Sequence, residues 1–150
     1  MIAGEVADEV MKIVDEEAEK QGREKEAVGK IVIGTVEGDI HNIGKDMVIA
    51  LVRGRGLEVI DLGVDVPPEE FIQAVKENNP DILAMSALLT TVKSEQEKTI
   101  EELEKQDLRD NLKIIIGGGA ASSEFAKEIG ADGYEPTAPL AAKRFEEICK

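Results

Sequence analysis

The chain has 150 residues, 42% of them hydrophobic, enough for one packed core but not for a second of similar size. Its formal charge is -14, from 18 basic and 32 acidic residues spread along the sequence, so a phosphate backbone is repelled and nucleic-acid binding is not expected. A single cysteine, Cys149, rules out an intrachain disulfide framework and a multi-cysteine metal site, and no apolar run reaches the roughly 20 residues of a membrane-spanning helix.

In chain order, the first stretch is acidic where a signal peptide is basic, and a cytoplasmic protein is expected. Within Glu5–Glu19, Val6, Val10, Ile13 and Val14 recur at helical spacing. That spacing predicts one short helix whose apolar stripe needs a partner surface, in this chain or in a second copy, so a homodimer is one expectation. Gln21–Gly29 reads as a polar linker. From Lys30 onward, short apolar runs alternate with longer amphipathic stretches. The runs are Lys30–Val36, Leu57–Asp61, Asp81–Ser86, Leu112–Ile116 and Ala131–Tyr134. They are rich in Val, Ile and Leu without polar alternation, as strands of a parallel sheet covered on both faces are. Helices are predicted over Asn42–Arg55, Pro68–Asn78, Val92–Gln106, Ser123–Ile129 and Pro139–Cys149. Gly56 stops the first and Gly130 the fourth; Pro67 and Pro68 open the second, and Asn79-Pro80 ends it. The alternation predicts an α/β domain, a flavodoxin-like doubly wound sheet of five parallel strands with a short N-terminal helix. Residues 1–29 form the helix and linker, and residues 30–150 the sheet domain.

Such folds bind ligands beyond the carboxyl ends of their strands. Four segments fall there: Glu37–His41, Ser86–Thr91, Gly117–Ala121 and Tyr134–Thr137. The first holds the one histidine of the chain, His41, with Asp39 two residues earlier. A lone histidine is most often a surface or capping residue, but this one sits at the functional edge with a carboxylate beside it. A carboxylate bonded to one imidazole nitrogen fixes the tautomer and raises the basicity of the other nitrogen towards a metal. One histidine cannot complete a zinc site, which takes three or four protein ligands. The metal must therefore arrive mostly coordinated. A corrin does so, with four equatorial nitrogens already bound. Haem satisfies the same count, but aromatic residues make up only 3% of the chain and no second axial partner is suggested.

Asp39-Ile40-His41-Asn42-Ile43-Gly44 resembles the D-x-H-x-x-G motif of cobalamin-binding domains. Ser86-Ala87-Leu88-Leu89-Thr90-Thr91 is similar to the S-x-L-(L/M)-T-T segment of corrinoid proteins from methyltransferase systems, and Gly117-Gly118-Gly119-Ala120 to their glycine-rich third segment. The resemblance covers about Gly29 to Lys150. It implies a cofactor, cobalamin in its methyl form or a related corrinoid, whose own base is displaced from cobalt and replaced by His41. Its nucleotide tail would enter a slot at the sheet edge. Gly44 would let the tail pass the first helix, and Gly117, Gly118 and Gly119 would let the backbone approach it; the alternative for these glycines is a tight strand-to-helix turn. Ser86 corresponds to the serine that bonds the aspartate in this family, although a strand-end serine also caps its neighbours. Asn42 and Ile43 belong to the ligand motif. Leu88 would pack beneath the ring, and Thr90 and Thr91 would meet its edge, with Thr91 equally suited to start the next helix. Tyr134 falls where the family has a loop over the tail, or else belongs to the core.

What the resemblance implies is a methyl carrier, loaded by one methyltransferase and unloaded by another, with a reductive activase as a further partner. It has no catalytic residue of its own and does not turn over alone. Two alternatives stay open: a small cobalamin-binding subunit of an adenosylcobalamin mutase, and a cobalamin storage or sensor module. Members of the methyltransferase group carry a bundle of about four helices ahead of this domain, whereas Met1–Gly29 suffices for one helix, so a reduced cap is expected.

Overall fold

The computed structural model of the protein describes residues 29–149, and the predicted helix over Glu5–Glu19 and most of its linker lie outside them. Strands and helices alternate from Lys30 to Cys149: β1 Lys30–Thr35, α1 Ile43–Gly54, β2 Glu58–Asp61, α2 Pro68–Asn78, β3 Ile82–Ser86, α3 Ser94–Lys105, β4 Lys113–Gly117, α4 Ser123–Ile129, β5 Gly133–Tyr134 and α5 Ala138–Cys149. The five strands form one sheet in the order β2-β1-β3-β4-β5, every pair parallel. This is the predicted doubly wound architecture.

Strand periodicity divides the core in two, because successive side chains point to opposite faces. Val32, Leu83, Met85, Ile114 and Ile116 face one way and pack with Phe71, Ile100, Leu103 and Phe125 from α2, α3 and α4. Ile31, Ile33, Ile82, Ala84 and Ile115 face the other way and meet Ile49, Val52, Ala142 and Phe145 from α1 and α5. Both faces being covered explains why the strands read as unbroken apolar runs.

Boundaries differ from the predicted ones in a few places. Gly117 belongs to β4, where it pairs with Ser86. The helix expected from Val92 begins at Ser94, because residues 89–93 form tight turns and Val92 packs instead beside Gly38. Gly130 ends α4 in the left-handed region at φ 82°, as a glycine after a helix does.

The sheet order places β1 between β2 and β3, so the connections leaving β1 and entering β3 run to opposite sides. The crevice between the carboxyl ends of β1 and β3 is the switch point at which folds of this kind bind ligands.

Candidate corrinoid site

At that switch point the loop after β1 turns sharply. Asp39 N–H donates to the Val36 carbonyl (3.1 Å), and Gly38 takes φ 87°. The turn buries the Asp39 side chain completely and leaves that of His41 half exposed, at 49%. Oδ1 of Asp39 accepts from the His41 backbone amide at 3.0 Å and lies 2.7 Å from His41 Nδ1. Oδ2 accepts from the amides of Leu88 (2.7 Å) and Leu89 (3.1 Å) on the loop after β3. Burial pushes the Asp39 carboxyl up, but the His41 amide and ring and the Leu88 and Leu89 amides outweigh it and hold the group at about 2. The carboxylate is therefore ionised at neutral pH and can only accept. His41 Nδ1 must then carry the hydrogen, and in the neutral ring the lone pair of Nε2 faces outward.

Two further groups hold this loop. Thr35, at the end of β1 and fully buried, donates its hydroxyl to the His41 carbonyl at 2.9 Å. Asp65, after β2, accepts from the Gly38 amide at 2.7 Å and donates its own amide to the Asp39 carbonyl at 2.9 Å. It holds this place at φ 53°, an uncommon conformation for a residue with a side chain.

Beside the histidine, a slot of about 190 Å³ opens over the ends of β1, β3 and β4, between α1 and α5. Gly44, Ser86, Gly117, Gly118, Gly119 and Tyr134 all line it, as do Glu135, Pro136 and Thr137 of the β5–α5 loop. A Cβ placed on Gly44 would meet nothing within 4 Å, so this glycine leaves room towards the slot, whereas a Cβ on Gly118 (φ 96°) would collide with the Ala87 backbone. Gly118 is thus a glycine for packing. Lys45 is buried at the start of α1 with its Nζ 2.9 Å from both Asp46 and Asp61, which ties the first turn of that helix to β2 at the slot's edge.

Thirteen residues were singled out from the sequence, and the structure distributes them unequally. Asp39 and His41 form the pair described. Asn42 precedes α1 without a side-chain capping bond, and Ile43 and Leu88 stand exposed at 76% and 45%. Thr90 and Thr91 lie exposed in the turn ahead of α3, and neither lines the slot; Thr91 does not cap the helix, which Lys93 precedes. The expected bond between Ser86 and Asp39 is replaced by the two leucine amides, and Ser86 faces the slot instead. Sequence reasoning missed Thr35, Lys45, Asp65 and the amides of Leu88 and Leu89. A hydroxyl ending an apolar strand was the one available sign of Thr35; backbone amides leave no sign.

The arrangement can be tested against a corrinoid. Ile40, Ile43, Leu88 and Leu89, exposed by 74, 76, 45 and 41%, stand on the two loops that Asp39 joins, and large apolar side chains left exposed together on such loops suit a binding surface. Among the described residues no group of three or more His, Cys, Asp or Glu could hold a bare metal ion, so a metal here needs its own equatorial ligands. One imidazole nitrogen, an apolar surface and a narrow slot beside it suit a flat macrocycle with a tail. Residues 29–143 match the family model described as the B12 binding domain.

The chain belongs to this family.

Among curated relatives, this B12-binding domain is 44% identical over 149 residues to a corrinoid protein of Desulfitobacterium hafniense, covering 99% of this chain and 69% of that one. It is 41% identical to trimethylamine corrinoid protein 1 of Methanosarcina acetivorans, covering 92% of this chain and 64% of the relative. Of solved structures, a cobalamin-binding protein from Desulfitobacterium hafniense superposes with a TM-score of 0.82 at 34% identity, covering 91% and 66% of the two chains. The methanol:cobalamin methyltransferase complex of Methanosarcina barkeri gives 0.79 at 34%, covering 87% and 50%. The chain thus spans half to about two thirds of the length of these proteins. Its cofactor is a corrinoid, and among the described residues no helix is long and apolar enough to cross a membrane.

Proposed function

We propose that this B12-binding domain carries a methyl group on a corrinoid between methyltransferases, with His41 Nε2 as the lower axial ligand of cobalt. The observation that carries the reading is the 2.7 Å pair of His41 Nδ1 and the buried Asp39 carboxylate, in the loop that leads into Gly44 and Lys45 of the slot lining. When bound, the corrinoid supplies a cobalt centre able to accept and release a methyl group.

The residues of the chain hold and tune that centre. Asp39 keeps a hydrogen on Nδ1 and would stabilise positive charge on the ring, so it would strengthen Nε2 as an electron-pair donor to the metal. Gly44 and the backbone of Gly117 leave the passage by which the nucleotide tail enters the slot, and Ser86, Tyr134 and Thr137 offer hydroxyls along it. Ile40, Ile43, Leu88 and Leu89 form the seat beneath the ring. The partners are the methyltransferase that supplies the methyl group, a second that accepts it, and a reductive activase that restores the oxidised cofactor. The likeness to chains of a methyltransferase complex and to methylamine corrinoid proteins supports this choice of partners over a mutase or a sensor.

An optical titration with hydroxocobalamin, run for the wild type and His41→Ala, tests the reading. Saturable binding with a base-off, histidine-ligated spectrum that the variant lacks is expected. Identical spectra for the two proteins would remove His41 from the cobalt.

A further inference from the structure

Thr35 closes β1, two residues beyond Ile33, and strand alternation places it on the same face of the sheet, the one covered by α1 and α5. It is fully buried. A valine has nearly the same shape and fits a buried strand at least as well, so packing alone does not require a hydroxyl there. A buried hydroxyl without a partner is costly, and this one has a partner, the His41 carbonyl at 2.9 Å.

The other end of that bond shows what it does. The His41 carbonyl lies ahead of α1, where the first bond of the helix runs from the Asp46 amide to the Asn42 carbonyl, and Asn42 makes no side-chain cap. The helix therefore does not fix the peptide joining His41 to Asn42. Asp39 holds His41 from the other side, through the backbone amide and Nδ1. With Thr35 in place, the amide, the carbonyl and one ring nitrogen of His41 are all bonded, and Nε2 is left to face outward. Without it, rotation of the 41–42 peptide would swing the imidazole about its bond to Asp39.

We propose that Thr35 is a positioning residue for His41: its buried hydroxyl fixes the His41 carbonyl and thereby the direction in which Nε2 meets the cobalt. Thr35 does not line the slot, so it acts through His41 and not on the cofactor. The inference rests on the reading of His41 as the lower ligand.

The test uses two pairs that differ by the hydroxyl, Thr35 against Thr35→Val and Thr35→Ser against Thr35→Ala. Each protein is loaded with hydroxocobalamin, its dissociation constant is measured, the cobalt is reduced to the divalent state, and electron paramagnetic resonance reads the ratio of nitrogen-ligated to unligated cobalt. Thermal unfolding of the unloaded proteins is followed in parallel. The wild type and Thr35→Ser keep the ligated signal. Thr35→Val and Thr35→Ala lose about three- to tenfold in that ratio and in affinity, the range one neutral hydrogen bond gives. The loss in Thr35→Val occurs with unfolding temperature nearly unchanged. The proposal is overturned if Thr35→Val keeps the wild-type ratio, or if the proteins sort by size, with Val like Thr and Ala unlike Ser only in stability. Should Thr35→Val not fold, the Ser and Ala pair decides by the same criterion. His41→Ala separates the two levels: if its signal matches that of the wild type, the ligand assignment fails and this inference with it, whereas a wild-type signal absent from His41→Ala but present in all Thr35 variants overturns the role of Thr35 alone.

Discussion

At the scale of single residues, Asp39 carries the most weight. Its two oxygens take four bonds from His41, Leu88 and Leu89, joining the loop after β1 to the loop after β3. Asparagine keeps the shape but has one accepting oxygen, so an N–H must face either the leucine amides or the imidazole. Asp39→Asn is expected to lower stability by about 1–3 kcal/mol, read as a lower urea midpoint with an unchanged slope, and to abolish histidine ligation of added hydroxocobalamin. An unchanged midpoint would mean that the four bonds are not maintained in solution. Cys149 offers a check on the same face of the sheet, at the opposite, amino-terminal end of the strands. Burial beneath Gly29 first, and the charge of Asp81 second, push its thiol up to about 11. A raised value keeps the thiol neutral, and the thiolate is the reactive form. Alkylation by iodoacetamide in the folded protein should stay slow at pH 8 and rise with a midpoint near 11; a midpoint near the ordinary value of 9.0 would contradict the burial.

At the scale of elements, two glycines predict opposite behaviour. Gly44 stands in the first turn of α1 with open space where a Cβ would sit. Gly44→Ala should leave the unloaded protein as stable or up to about 1 kcal/mol more stable, since alanine favours helix, and yet weaken hydroxocobalamin binding because the methyl group narrows the slot. Gly118→Ala should cost about 1–3 kcal/mol from its backbone conformation alone, with the collision against Ala87 in addition. Equal effects of the two on stability would show that the slot is not formed as described.

The same elements show what could be read from the sequence. The strands were legible because both faces are buried, which leaves continuous runs such as Ile31–Ile33, and the ends of α2 and α4 were legible because Pro67, Pro68 and Gly130 impose backbone geometry of their own. The start of α3 was placed two residues early, since helical spacing says nothing of Val92 packing beside Gly38. His41 and Asp39 were found through their type and spacing. The rest of the cradle was not, because the leucine amides lie 49 and 50 residues from Asp39 and carry no side-chain signature. The family resemblance assigns their role to Ser86, whose side chain lines the slot instead.

At the scale of the molecule, sheet order decides where chemistry is possible. With β1 beside β3, the ligand loop and the leucine loop meet over one crevice, and α1 and α5 form the walls of the slot on one face of the sheet. A ligand that binds only the folded chain must stabilise it, by about 2.7 kcal/mol at a free concentration one hundred times its dissociation constant. Hydroxocobalamin should therefore raise the unfolding temperature of the wild type in proportion to the logarithm of its concentration, and that of His41→Ala much less.

The sequence contains one histidine, which makes the central claim directly measurable. Untagged protein grown with ¹⁵N-histidine, loaded with hydroxocobalamin and reduced to divalent cobalt, carries the label at His41 alone. The account predicts that the three-line nitrogen splitting of the unlabelled protein becomes two lines in its electron paramagnetic resonance spectrum. A splitting that stays three-fold, from the cofactor's own base, or the absence of any nitrogen splitting, would contradict it.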